Sequence, residues 1–174
     1  MYLKSQRPNL YIALFWTATV FNNYLNKVLM VLSGIAVLSL MILATANVVL
    51  RIFQIPFRGT YEIVSFLGAI VIALPLGYAQ KRKDNIVVDI LTKKFPKRVQ
   101  RVIGILTDHV IMVFFGIVAW QVFVLGTRIL KSGEVSESLK IIFHPFVYAV
   151  SLGFIVLSFT AFIEILTKLF REGE

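Results

Sequence analysis

Four long stretches of this sequence carry no charge. They are residues 28–50, 63–80, 109–127 and 141–163, each 18 to 23 residues long, and charged links separate them. An α-helix rises ~1.5 Å per residue, so a run of roughly 17–25 apolar residues crosses a hydrocarbon core of ~30 Å. Hydrocarbon offers the backbone no hydrogen-bond partner, and a helix satisfies its own. The sequence therefore predicts an all-α integral membrane protein with four transmembrane helices.

Charge distribution sets the orientation. Of the 18 Lys and Arg residues, 13 fall on one side of a four-crossing chain: Lys4, Arg7 and Lys27, eight in the central link 81–101, then Lys168 and Arg171. The other side has Arg51, Arg58, Arg128, Lys131 and Lys140. The positive-inside rule then predicts both termini and the central link in the cytoplasm. A net charge of +9 would also suit nucleic acid. Its segregation by side instead predicts membrane lipids with anionic headgroups as partners, and no nucleic acid. There is no cysteine, which excludes disulfides, thiolate metal sites and cysteine nucleophiles.

The expected organisation has three parts. Residues 1–27 form a cytoplasmic N-terminus with an interfacial helix, 28–163 the four-helix membrane domain, and 164–174 a cytoplasmic C-terminus. Residues 10–21 are apolar behind Lys4 and Arg7. A signal-peptide core or a frayed terminus would look similar. At ~18 Å the run is too short to cross, and a full span follows, so an interfacial helix with Tyr11 and Trp16 at headgroup depth is expected. In the central link, Val87, Val88, Leu91 and Phe95 recur at helical spacing behind Asp84. This predicts an amphipathic helix over 84–95, with Asp89 on its polar face. From Lys97 the pattern stays helical to about Leu130, roughly 50 Å, so this span should project beyond the bilayer. The two outer links are too short to hold a domain.

The candidate chemistry is sparse. His109 and His144 are the only histidines. They fall at opposite ends of their spans, ~25 Å or more apart, and cannot share a haem iron. No Asp, Glu, Lys or Arg lies within an uncharged run, whereas transporters of polar solutes place ionisable groups or broken helices at mid-membrane. No phosphate loop, carboxylate pair or nucleophile–base set is evident, so no cofactor, metal or enzyme activity is predicted. Ser65, Ala69, Ala73 and Gly77 recur every four residues, a face that permits close helix approach within the bundle or against another subunit. Pro75 is expected to kink that helix. Asn47, Ser65, Gln121 and Ser151 are candidates for hydrogen bonds between helices. Trp120 is too deep for a headgroup tryptophan and is expected to pack on protein. Arg58 and Glu62 are expected to pair at the outer surface.

Three segments carry a family resemblance: P-F-R-G-T-Y-E-I-V at 56–64, D-N-I-V-V-D-I-L-T-K-K-F-P-K-R at 84–98, and S-E-S-L at 136–139 followed by Pro145, Phe146 and Tyr148. Their order resembles the small membrane subunit of tripartite ATP-independent periplasmic (TRAP) transporters. The chain departs from that pattern in having Asn85 where histidine is common, and Tyr61 near a usual tryptophan position. The resemblance implies a bacterial inner-membrane location and two protein partners. One is a large membrane subunit that carries substrate with sodium by an elevator-like movement. The other is a periplasmic protein that delivers an organic acid or sialic acid. The small subunit is implied to be a scaffold, with Ser65, Ala69, Ala73, Gly77, Arg58, Glu62 and Asp89 as candidate partner contacts. The competing reading is a four-helix anchor or accessory subunit of another complex, such as a respiratory enzyme.

Overall fold

A computed structural model describes residues 10–55, 59–82 and 96–170. Five helices account for most of them: α1 (Leu10–Ile52), α2 (Thr60–Ala73), α3 (Leu76–Arg82), α4 (Lys97–Ser132) and α5 (His144–Phe170). Taking α2 and α3 together, four segments are long and apolar enough to cross a membrane. The protein is thus an all-α, multi-pass membrane protein.

Helix α1 differs from expectation. It runs 43 residues without a break, so the anticipated N-terminal helix and first span are one element. The physical reason is the absence of a breaker: no proline occurs between residues 10 and 52, and Gly34 is its one glycine. Asn22, Asn23 and Asn26 interrupt the apolar run but not the helix. The helix stops where Gln54 takes φ 60°, allowing its N–H and that of Ile55 to bond the Arg51 and Leu50 carbonyls at 3.1 and 3.0 Å. Helix α4 ends in the same way on Gly133, φ 66°, whose N–H bonds Ile129 O at 3.1 Å. It spans 36 residues from Lys97, in agreement with the long third span expected. The amphipathic helix expected over 84–95 lies outside the described residues.

Pro75 divides the second span into α2 and α3. Proline has no N–H, so the Val71 carbonyl loses its helical partner. Ser33 of α1 supplies the replacement, donating its hydroxyl to Val71 O at 3.1 Å. The break also brings backbone against backbone. A β-carbon at Gly153 of α5 would lie 2.5 Å from the Ala73 carbonyl oxygen.

The packing order places α5 in the middle. It touches α1, α2, α3 and α4, whereas α4 packs extensively on α5 alone among the described helices. The small core lies between α1, α2 and α5, where Leu29, Leu74 and Val156 are buried and Leu25 and Ile70 pack around them. Phe115 meets Phe154 at 5.6 Å, and Phe123 meets Tyr148 at 5.4 Å, along the α4–α5 contact. Most remaining side chains of α1 and α4 are apolar and exposed, as a helix facing lipid or a membrane partner requires.

A buried polar layer and the candidate partner surfaces

The helix ends that carry Lys81, Arg82 and Lys168 form one basic end of the bundle. Just inside it lies a layer of buried polar side chains from α1, α3, α4 and α5. Asn22 and Asn26 of α1 are 2% and 1% exposed, and Thr160 of α5 is 1% exposed. Asn26 donates to Asn22 Oδ1 and to Thr160 Oγ1, both at 3.0 Å, and Thr160 donates to Val156 O at 2.7 Å. Asn26 Oδ1 faces Gly77 of α3 so closely that a β-carbon there would collide with it.

Beside this triad, three helices meet on one carboxylate. Gln80 of α3 donates to Asp108 Oδ1 at 3.2 Å. Lys168 of α5 pairs with Asp108 Oδ2 and also donates to Gly104 O at 3.0 Å. The side chains of Asp108 and Lys168 are 6% and 21% exposed. The sequence places both charges at helix ends. The structure buries them because α4 continues past Asp108 to Lys97 and α5 reaches Phe170. The missed layer had a signal. Thr160, Glu164 and Lys168 recur every four residues on α5, and Asn22 and Asn26 do so on α1, each set marking one polar face.

The stripe of small residues divides in two. Ala73 and Gly77 are buried, against Gly153 and Asn26 respectively. Ser65 and Ala69 are exposed on α2. Ser65 is not bonded to another helix; its hydroxyl donates to Tyr61 O at 2.8 Å on its own. Of the polar residues expected to join helices, Ser151 does so, donating to Ala119 O at 2.9 Å. Ser158 makes an equivalent bond to Met112 O at 2.8 Å that the sequence reading did not anticipate. Gln121 is exposed. Trp120, expected to pack on protein, is 66% exposed on this chain.

At the opposite end, Glu62 closes the two links. Its carboxylate accepts the N–H groups of Ser138 at 2.6 Å and Leu139 at 3.1 Å. The second link is itself ordered by a Val135–Ile142 bridge and by the Ser136 hydroxyl, which accepts the Ile141 N–H at 3.1 Å. Arg58, the expected partner of Glu62, and Asp89 both lie outside the described residues. His109 is exposed near the basic end of α4, and His144 opens α5 at the other end, edge-on to Tyr148 at 6.0 Å. Among the described residues no group of three or more His, Asp or Glu is placed to hold a metal ion.

Four helical segments long and apolar enough to cross a membrane, with buried polar groups bonded from one helix to the next, describe a multi-pass membrane component. A family model for the DctQ component of tripartite ATP-independent periplasmic transporters matches residues 40–171. The match covers most of the 174 residues, and the chain belongs to this family. It is a family of transporter components, not of enzymes. No curated protein and no solved structure is a match for the chain.

Proposed function

We propose that this chain is the scaffold subunit of a TRAP-type secondary transporter in a bacterial inner membrane. It braces a large sodium-coupled subunit while that subunit imports an organic acid, or sialic acid, delivered by a periplasmic binding protein. The basic end lies in the cytoplasm by the positive-inside rule, and the links joined by Glu62 face the periplasm. One observation carries the reading. Most of the polar groups inside the bundle bond other parts of the same bundle, in the Asn22–Asn26–Thr160 and Gln80–Asp108–Lys168 groups and the Ser33, Ser151 and Ser158 bonds, while Asn26 Oδ1 and Glu164 Oε2 are buried without a hydrogen bond. A polar solute crossing a membrane needs such groups turned toward a pathway. Here they hold helices together, which suits a static frame for a moving neighbour.

The surfaces left for partners fit this role. Ser65 and Ala69 give α2 a smooth exposed face for a helix of the large subunit. Arg58 and the outer links serve the binding protein. Glu62 acts there by shaping the second link through its bonds to Ser138 and Leu139, Asp89 is a contact for a partner subunit, and the basic residues of the central link serve the cytoplasmic leaflet. The test is uptake into liposomes holding the large subunit, with binding protein and a sodium gradient supplied. Uptake is expected with this chain and lost without it. Equal uptake in both would refute the proposal.

A further inference from the structure

We infer that the groove between α4 and α5 seats a transmembrane helix of the large subunit, with Trp120 donating its indole N–H across the contact. The inference rests on the scaffold reading above. The groove has a volume of about 570 Å³ and is lined almost wholly by apolar side chains. Gly116 and Ala119 form its floor, and Phe123, Phe159 and Phe162 line its sides. From Met112 to Phe123 it follows α4 for about three turns, ~16 Å, which matches the ridge of one packed helix.

Trp120 argues for protein rather than lipid as the occupant. It lines the groove and is 66% exposed. It stands eight residues before Arg128, ~12 Å along the helix from that charge, and eleven after His109. Tryptophan normally sits at the headgroups, where its N–H finds water or lipid oxygen. At this depth lipid offers only hydrocarbon. Among the described residues, Trp120 makes no hydrogen bond. The carbonyl of Ala119, the residue before it, already accepts Ser151. An acyl chain would fill the groove and leave the N–H unbonded. A helix presenting a serine, threonine or freed backbone carbonyl would satisfy both the volume and the donor.

The test uses the small and large subunits produced together in membranes. A benzophenone amino acid at position 120 is expected to give one photo-adduct joining the two subunits. Gly116→Leu fills the floor and is expected to lower the co-purified large subunit at least tenfold. Trp120→Phe keeps the ring and removes the donor, with a loss of about threefold. Circular dichroism and gel filtration check that each variant is folded, and the photo-adduct decides if Gly116→Leu is not. Adducts to lipid alone, or no adduct, overturn the groove assignment when the unaltered chain retains the large subunit. So does undiminished retention by both folded variants. An unaltered chain that fails to retain the large subunit overturns the scaffold reading itself.

Discussion

Neutralising one member of the Lys168–Asp108 pair is predicted to do more damage than neutralising both. Lys168→Met keeps most of the side chain and removes its ammonium. The Asp108 carboxylate is then left with Gln80 at 3.2 Å, in a side chain only 6% exposed. Removing one partner of a buried ion pair costs about 3–5 kcal/mol, whereas replacing both by apolar groups of similar size is often neutral or stabilising. Lys168 retains 21% exposure, so water reaches the site and the loss belongs at the lower end, about 3 kcal/mol. The bond from Lys168 to Gly104 O disappears in the single and the double variant alike, a common loss of about 1 kcal/mol. Lys168→Met alone should therefore lose about 4 kcal/mol, and Lys168→Met with Asp108→Leu about 1 kcal/mol. Asp108→Leu alone should fall between them, because a long lysine can turn its head toward water. Equilibrium unfolding in mixed detergent micelles, followed by circular dichroism, completes the cycle. Equal losses in the single and double variants would refute the argument that the charges stabilise one another.

Three further outcomes follow from the geometry. Ser33→Ala should lose about 1 kcal/mol by leaving the Val71 carbonyl unbonded, and nothing in a Pro75→Ala background, where the restored N–H takes that carbonyl; the same unfolding assay reads both. Gly153→Val drives a side chain into the Ala73 carbonyl and should lose about 1–3 kcal/mol or more, seen as a lower detergent midpoint, while Gly34→Ala, with open space around it, should not. Glu62→Gln should accelerate amide exchange at Ser138 and Leu139 without altering exchange within α5, read by hydrogen exchange and mass spectrometry. Because the sequence has no cysteine, a single Glu137→Cys reports orientation directly: an impermeant maleimide added to intact cells with a permeable outer membrane should label it.

The legible part of this fold is the part that one helix decides alone. Span number follows from charge-free length, the division at Pro75 from a missing N–H, and the reach of α4 from its uninterrupted pattern. The less legible part depends on neighbours. Asp108 and Lys168 look like ordinary end charges until α4 and α5 are laid side by side, when each helix covers the other's end. Asn22 and Asn26 mark a polar face but do not name Thr160 as its partner. Ser65 has a hydroxyl suited to bridging helices, yet the Tyr61 carbonyl one turn back is nearer than any other helix. The Ser65–Gly77 stripe has uniform spacing, but the Pro75 break sends its second half into the bundle and leaves its first half outside. Glu62 was legible as important and not as a clasp, because its partners are backbone N–H groups that any residue could supply.

The central claim is that this bundle spends its polar groups on holding its own helices together rather than on a solute. The most direct measurement is solute binding and flux with the purified chain alone in sealed liposomes, using the acid that the complete transporter carries. The account predicts no saturable binding and no flux above that of empty liposomes, with or without a sodium gradient. Saturable, sodium-dependent accumulation by the chain alone would contradict it.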